Sequence, residues 1–381
     1  MDTQRIALTL LAAALASWAL TPAVRALAVR TGAVARPNSR SVHTKPLPYL
    51  GGVAIFVAFA AAAVFGLGPR HEIPGVLLLG GGAVLAIGVV DDLRPLPAAR
   101  KTVLLSLVAV FTVLGGVRIE WVTNPLGGMF DLGLWGIPLT IVWLVVVSNL
   151  VNVIDGLDGL AAGISSIVAL TLLVACHQAG QAHTVILTAA LAGSALGFLP
   201  HNFSPAKIIM GDAGALFLGY VIAVVSVEGP IKSATAVALF IPVLALGVPI
   251  MDAAFAVWRR TVTNRSVLGA DRDHLHHRLL NMGLSQRQAV LLMYSVSGFF
   301  GASAVGLTEL TPVKAAGVVA GVFSLVYLGA RRSGLLRLPR ETGSMRLASL
   351  SVAATREEPA PMCGQGGPDR VAGPGAAPPV S

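Results

Sequence analysis

Charged residues are scarce in this sequence. Asp, Glu, Lys and Arg together make up 12% of the 381 residues, whereas hydrophobic residues make up 55%. A soluble globular domain carries about 25% charged residues, so the composition excludes a chain that folds mainly in contact with water. Apolar stretches recur along almost the whole chain, and we therefore predict one all-α integral membrane domain over residues 1–335.

Cysteine is also rare. The sequence contains only Cys176 and Cys363, and the topology predicted below places them on opposite sides of the membrane. No disulfide framework follows from two such residues.

The apolar stretches predict about 11 transmembrane helices. Each is near the roughly 20 residues that a hydrocarbon core of about 30 Å requires, and backbone groups in lipid must pair within a helix. The predicted spans are 6–27, 49–68, 75–90, 102–117, 138–154, 159–176, 183–200, 213–228, 234–258, 289–307 and 312–330. A signal peptide cleaved after Ala28 is the alternative for the first span, but that apolar run is longer than a typical h-region.

The basic residues predict the orientation of these spans. Of the 27 Lys and Arg residues, 22 fall in the connections and the tail on one side of the predicted membrane and 5 on the other. The positive-inside rule then places the N-terminus outside and the basic connections in the cytoplasm. The positive net charge is therefore a signal of topology, and binding of nucleic acid is not predicted.

Two segments differ from the apolar pattern. Residues 118–137 combine short alternating runs with the turn signals Asn124-Pro125 and Gly127-Gly128, which predicts a small β-hairpin. Residues 336–381 are rich in Pro, Gly, Ala and Ser, and we predict a disordered cytoplasmic tail.

Acidic residues gather at the predicted cytoplasmic face. An Asp at the centre of a membrane helix costs roughly 2.5–3.5 kcal/mol on insertion scales, which favours helix ends but does not explain clustering at one face. The aspartates on or near that face are Asp91, Asp92, Asp155, Asp158, Asp212, Asp252, Asp271 and Asp273. This clustering predicts a functional site.

Four groups of polar residues contribute to the predicted site. Asp91 and Asp92 are adjacent carboxylates that repel each other, so they favour a divalent cation or a nearby lysine; a charged helix end is the alternative. Asn149, Asn152 and Asp155 recur every three residues and share one helix face.

Asp158 continues that row beyond Gly156, where we expect the helix to end. The carboxylates and amides of residues 149–158 are hard oxygen ligands and donors, which suit Mg²⁺ with phosphates. A structural turn that caps two helices is the alternative.

Asp212 lies between glycines and is the predicted N-cap of the eighth span. The flanking Gly211 and Gly214 are expected to let a ligand approach the backbone, and a helix N-terminus favours phosphate. A simple helix cap is the alternative.

Three histidines lie within four residues in the largest predicted cytoplasmic connection. A transition-metal site is one interpretation of His274, His276 and His277, but no Cys lies nearby, and no His pair at helical spacing accompanies a Glu. Arg278 favours anion recognition instead, because guanidinium binds phosphate oxygens in a fork. Asp252, inside the ninth span, is either functional or packed near Arg259.

Taken in order, five segments resemble the polyprenyl-phosphate N-acetylhexosamine-1-phosphate transferases. These segments are residues 45–52, 91–92, 149–161, 211–214 and 274–278. The resemblance implies transfer of a sugar-1-phosphate from a UDP-sugar to undecaprenyl or another polyprenyl phosphate, with release of UMP and with Mg²⁺, or alternatively Mn²⁺, as cofactor. The His-Leu-His-His-Arg segment is similar to the branch that uses UDP-N-acetylglucosamine, and UDP-N-acetylmuramoyl-pentapeptide is the alternative donor.

The resemblance also implies roles for individual residues. The implied catalytic residues are Asp91, Asp92, Asp155 and Asp158. The implied metal ligands are Asp212, Asp155 and Asp158. The implied substrate contacts are Lys45, Lys101, Asn149, Asn152, His274, His276, His277 and Arg278. The sequence departs from the family pattern at Ala215, where Ser is frequent.

The expected location is the inner (plasma) membrane, with several spans and the site on the cytoplasmic face. The expected partners are the UDP-sugar, the polyprenyl phosphate, membrane lipids and a second copy of the chain. The implied step is the first lipid-linked step of cell-envelope glycan synthesis. The competing classes are a metal-binding or scaffolding membrane protein and an ion-coupled transporter. The transporter is disfavoured because the acids crowd one face and no repeat of broken helices is visible.

Overall fold

The computed structural model describes residues 3–35, 46–68, 75–123, 129–229, 240–262, 274–307 and 310–332. Lys45, Asp271, Asp273 and the tail of residues 336–381 lie outside these ranges. The predicted phosphate contact of Lys45 and the predicted disorder of the tail therefore stay predictions.

Helices make up most of the described chain, as the apolar composition predicts. They are α1 (Thr3–Thr31), α2 (Gly51–Leu67), α3 (Gly75–Leu93), α4 (Ala98–Leu114), α5 (Gly136–Ile154), α6 (Leu160–Gln178), α7 (Ala182–Asn202), α8 (Gly211–Glu228), α9 (Phe240–Ala245), α10 (Gly247–Val262), α11 (Leu275–Asn281), α12 (Gln286–Gly306) and α13 (Pro312–Arg332). Eight of them, namely α1, α3, α5, α6, α7, α8, α12 and α13, are long and apolar enough to cross a membrane. The fold class is therefore an all-α membrane protein.

The ninth predicted span, 234–258, is not one continuous helix in the part of the chain that the structure describes. The helix is interrupted at Leu246 between α9 and α10. Pro249 follows within the first turn of α10, and a proline is tolerated at the start of a helix but not in its interior. Hydropathy alone predicts one continuous span here, whereas Gly247 and Pro249 are the residues at which the second helix begins.

Helix α8 is the most enclosed of the candidate spans, with 89% of its apolar window buried. It packs against α3 and α5 and also contacts α2. A Cβ atom at Gly88 of α3 would overlap the backbone of Ala213, and one at Gly52 of α2 would overlap the backbone of Gly214. The start of α8 is thus held between two neighbouring helices at backbone contact.

Two short strand pairs complete the fold. Strands β3 (Trp121–Thr123) and β4 (Met129–Asp131) pair antiparallel, which confirms the predicted hairpin within residues 118–137. Strands β1 (Val34–Ala35) and β2 (Leu47–Pro48) form a second antiparallel pair that the sequence did not predict.

The segment that follows β2 is joined to the residues before α8. The backbone N–H of Ile209 donates to the carbonyl of Pro48 at 3.0 Å, and the N–H of Gly51 donates to the carbonyl of Ile209 at 3.1 Å. Gly52 likewise donates to Met210 at 3.0 Å. These bonds bring the described part of the 45–52 motif beside Asp212.

Candidate active site

The ends of five helices meet at one face of the molecule. They are the C-terminal ends of α3 and α5 and the N-terminal ends of α4, α6 and α8. Polar side chains are brought together there from positions more than one hundred residues apart.

Asp92 holds the start of α8. Its carboxylate accepts the backbone N–H of Asp212 at 2.9 Å and that of Ala213 at 3.2 Å. The first N–H groups of a helix have no partner within the helix, and negative charge is favourable there. Asp92 therefore satisfies these donors from a neighbouring helix.

This arrangement corrects the predicted N-cap role of Asp212. The cap position is Met210, which supplies no side-chain bond, and Asp212 lies in the first turn of α8. Gly211 has a φ of +71°, and a Cβ there would overlap the Asp92 carboxylate. The Cβ position of Gly211 is therefore filled by Asp92, and the predicted approach of a ligand to the backbone at this glycine stays a prediction.

Lys101 links the carboxylates of α3 and α8. Its Nζ lies 2.8 Å from Asp91 Oδ2 and 2.5 Å from Asp212 Oδ2. The other oxygen of Asp91, Oδ1, accepts the backbone N–H of Leu96 at 2.6 Å. The adjacent aspartates thus meet different partners, because Asp91 pairs with the lysine and Asp92 binds a helix backbone.

Asn152 joins α5 to this cluster. With the amide orientation assigned from its partners, its nitrogen donates to Asp212 Oδ1 at 3.1 Å and its oxygen accepts from Lys101 Nζ at 2.7 Å. Asn149 differs, since its Nδ2 donates to the carbonyl of Val145 at 2.8 Å and the amide is turned along its own helix.

Asp155 follows the last residue of α5 and is partly buried. Burial raises its pKa well above the usual range, and the negative charges of Asp212, Asp92 and Asp158 raise it further. Such crowding of carboxylates favours a bound cation, because an opposite charge stabilises the ionised form.

Asp158 is buried and binds a loop. Its Oδ2 accepts the backbone N–H of Ala206 at 3.0 Å. Beside it, buried Asn202 accepts from the N–H of Gly159 at 3.1 Å and donates to the carbonyl of Ile208 at 3.0 Å. These bonds fix the loop before α8 against the turn between α5 and α6. The structure thus gives Asp158 a positioning role, and its catalytic and metal roles stay predictions.

The described part of the histidine segment consists of His274 and α11. His276 is only 2% exposed, and its ring fills the space where a Cβ at Gly156 would lie. Burial, and to a smaller extent the neighbouring His277, lower the pKa of His276 to about 4, so this ring is neutral near pH 7. His277 and Arg278 are partly buried on the same short helix. The segment therefore lies against the turn that carries Asp155.

Two residues without an implied catalytic, metal or substrate role lie beside residues that have one. Burial raises the pKa of the Tyr49 phenol, and the negative charge of Asp92 raises it further. Asp252 of α10 is 2% exposed and binds His274 and the backbone of Leu275. The signal for Asp252 was an acid inside an apolar span, and its partners could not be identified from the sequence.

The polar residues fit Mg²⁺ held together with substrate phosphates. Among the described residues, no group of three or more His, Cys, Asp or Glu side chains could hold a metal ion alone. Mg²⁺ in such sites typically uses one or two carboxylates, several waters and phosphate oxygens. The ammonium of Lys101 already lies among oxygens of Asp91, Asp212 and Asn152, so this donor set accommodates a cation.

An apolar cavity of about 550 Å³ lies beside the histidine segment. It is formed by α10, α11, α12 and α13, and Leu275, Met251 and Phe299 are among its lining residues. Leu275 lies between this cavity and Asp252, because its backbone N–H donates to the Asp252 carboxylate and the residue also lines the cavity.

Comparison with known proteins agrees with this geometry. Residues 75–229 match Glycosyl transferase family 4, a range that contains α3 to α8 and hence Asp91, Asp92, Lys101, Asn152 and Asp212.

Several relatives match over most of the chain. A protein of Bacillus subtilis described as a probable undecaprenyl-phosphate N-acetylglucosaminyl 1-phosphate transferase is 38% identical, over 81% of this chain and 86% of its own length. A decaprenyl-phosphate N-acetylglucosaminephosphotransferase of Mycolicibacterium smegmatis is 36% identical, over 88% of this chain and 89% of its own. An undecaprenyl-phosphate alpha-N-acetylglucosaminyl 1-phosphate transferase of Thermotoga maritima is 28% identical, over 78% of this chain and 88% of its own length. The chain therefore belongs to the polyprenyl-phosphate N-acetylglucosaminyl-1-phosphate transferases of glycosyl transferase family 4.

Proposed function

We propose that this protein transfers N-acetylglucosamine-1-phosphate from UDP-N-acetylglucosamine to undecaprenyl phosphate or a related polyprenyl phosphate and releases UMP. The observation that carries the proposal is the cluster of Asp91, Asp212, Lys101 and Asn152, with Asp92 holding it together, inside the range that matches the family.

The chemistry needs alignment and charge neutralisation more than a strong base. A phosphate oxygen of the acceptor attacks the β-phosphorus of the donor, and the bond from that phosphorus to the bridging oxygen breaks. UMP leaves with the bridging oxygen, so one phosphoanhydride replaces another. The acceptor phosphate is largely ionised at neutral pH, since its second pKa is about 6, and phosphoryl transfer is promoted by positioning and by stabilising charge.

Each part of the cluster has a role in this proposal. Mg²⁺, when bound by Asp212 and Asp155 with substrate phosphates, supplies positive charge against the transferring group. Lys101 neutralises further negative charge and keeps Asp91 and Asp212 together. Asp92 acts by positioning, because both of its oxygens bind the backbone at the start of α8. This geometry favours positioning over an obligatory base.

The donor is recognised in this proposal by the histidine segment. Neutral His276 lies against the turn of Asp155, and Arg278 on the same helix offers a planar charged group for a diphosphate. The relatives named above carry N-acetylglucosamine in their descriptions, which supports this donor over UDP-N-acetylmuramoyl-pentapeptide.

The location in the membrane follows from the two substrates. The lipid acceptor enters sideways from the bilayer, and the apolar cavity beside Leu275 offers room for apolar chain near the polar site. The nucleotide enters from the cytoplasm, on the side where 22 of the 27 Lys and Arg residues were assigned. The protein is thus proposed to cross the inner membrane about 11 times, with its N-terminus outside, and to catalyse the first lipid-linked step of cell-envelope glycan synthesis.

The donor is tested with purified protein, undecaprenyl phosphate and Mg²⁺. Lipid-linked product is extracted after incubation with either UDP-N-acetylglucosamine or UDP-N-acetylmuramoyl-pentapeptide, each carrying a labelled sugar. Product from the first donor alone is expected. Product from the second alone would reassign the enzyme to peptidoglycan synthesis, and product from neither, in folded protein, would favour a transporter or a scaffold.

A further inference from the structure

We infer that Asp252 is a positioning residue that anchors the histidine segment against the turn of Asp155 and thereby sets the affinity for the nucleotide-sugar. The inference deepens the proposed function and rests on it for the identity of the ligand. Asp252 itself touches neither the Lys101 cluster nor Asp155 in the described contacts, so it acts through the residues that it holds.

Both oxygens of Asp252 are bound by the histidine segment. Oδ1 accepts the backbone N–H of Leu275 at 2.7 Å, and Oδ2 lies 3.0 Å from Nδ1 of His274. A carboxylate only accepts hydrogen bonds, so Nδ1 of His274 carries the donating hydrogen. These two bonds connect α10 to residues 22 and 23 positions further along the chain.

The burial of Asp252 makes this contact specific. The residue is 2% exposed, and a buried carboxylate is costly unless hydrogen bonds or opposite charge compensate it. The compensation comes from a backbone N–H and a ring N–H at the start of the segment. If the segment moves away, the carboxylate loses both bonds, so the docked position is strongly favoured over alternatives.

The anchor reaches the site through His276. The rings of His274 and His276 are nearly parallel, with an interplanar angle of 5° and centroids 5.9 Å apart. His276 then fills the space over Gly156, directly after Asp155. A shift of the segment at Asp252 therefore moves His276, and with it the wall of the site at Asp155, while Lys101, Asp91 and Asp212 keep their own contacts.

The test compares Asp252→Ala, Asp252→Asn and His274→Ala in the full-length protein. Steady-state kinetics give kcat and the KM of each substrate. Loss of a buried hydrogen-bond partner should raise the KM for UDP-N-acetylglucosamine about tenfold or more in Asp252→Ala, with the KM for the polyprenyl phosphate changed less than about twofold. Asp252→Asn should recover part of the donor affinity, because its amide oxygen still accepts from Leu275. His274→Ala removes one of the two bonds, so its KM for UDP-N-acetylglucosamine should also lie between those of the wild type and Asp252→Ala.

The control is Asp131→Asn. Asp131 is an exposed aspartate of the β3–β4 hairpin that accepts the N–H of Gly133, and this variant should match the wild type in both KM values. Equal rises of both KM values in Asp252→Ala, or a donor KM unchanged in well-folded Asp252→Ala, would overturn the inference.

Hydrogen–deuterium exchange separates this inference from the proposed reaction, because it needs no turnover. In Asp252→Ala and Asp252→Asn, the amides of residues 275–278 and of the 155–156 turn should exchange faster, while those at the start of α8 keep their protection. If the wild type forms no product but this exchange pattern appears, the proposed function is wrong, whereas the positioning role of Asp252 is supported. If the protection of these amides from exchange is unchanged in both variants, Asp252 does not position the histidine segment, whatever the activity.

Discussion

Two adjacent aspartates at the end of α3 meet different partners. Asp91 pairs with Lys101, whereas Asp92 binds the backbone N–H groups of Asp212 and Ala213. Asp158 and Asp252 likewise accept backbone N–H groups, from Ala206 and Leu275. At the scale of single residues, most of these acids therefore bind backbone N–H groups, and Asp91 and Asp212 also pair with Lys101.

Asp212→Asn should reduce turnover by about a hundredfold or more, because the variant loses the negative charge that pairs with Lys101 and that is proposed to bind Mg²⁺. The fold should persist, since Asp92 binds the backbone N–H of residue 212 and not its side chain. Activity is measured as lipid-linked product, and folding as the melting temperature in detergent. A folded variant that keeps most of its activity would contradict the assigned role.

At the scale of helices and strands, the position of the start of α8 depends on how closely α2 and α3 approach it. A Cβ at Gly88 would overlap the backbone of Ala213, whereas a Cβ at Gly82 in the same helix would meet only the ring of Phe56 at 3.6 Å, an ordinary contact. The two glycines thus offer a matched pair for substitution.

Gly88→Ala should displace α8 from α3 and weaken the bonds from Asp92, with a loss of about 1–3 kcal/mol in stability and a clear loss of activity. Gly82→Ala should leave both properties close to those of the wild type. Thermal unfolding in detergent and product formation are measured for both variants. Equal behaviour of the two would show that close contact between α3 and α8 does not position the site.

Local sequence patterns predicted the helices and strands better than they predicted which side chains contact each other. The apolar runs indicated the helices, and the turn residues indicated the hairpin of β3 and β4. The spacing of three residues indicated a shared face for Asn152 and Asp155. The hydrogen bond from the backbone N–H of Asp212 to Asp92, 120 residues apart, was not predictable. No local sequence pattern specifies which helix ends lie next to each other in the fold.

The same limit explains the other differences. The break between α9 and α10 interrupts an apolar stretch whose hydrophobicity is continuous, so hydropathy did not reveal it, although Gly247 and Pro249 mark its position. Asn149 shares the predicted face with Asn152, but its amide binds its own helix, because a side-chain rotamer is set by neighbours that the sequence does not specify.

At the scale of the whole molecule, membrane helices and a polar face are combined in one chain. Eight described helices can cross a membrane by length and composition, and the polar residues collect where several of these helices end. Such a placement lets a lipid and a water-soluble nucleotide meet at one surface. In the proposed reaction, a sugar and its phosphate move together between these two substrates.

The identity of the released nucleotide shows whether the phosphate moves with the sugar. Purified protein is incubated with undecaprenyl phosphate, UDP-N-acetylglucosamine and Mg²⁺, and the nucleotide and the lipid product are quantified by mass spectrometry. We expect UMP in equal amount to a lipid that has gained one N-acetylglucosamine and one phosphate. Release of UDP, with a lipid that has gained the sugar alone, would contradict the proposed reaction.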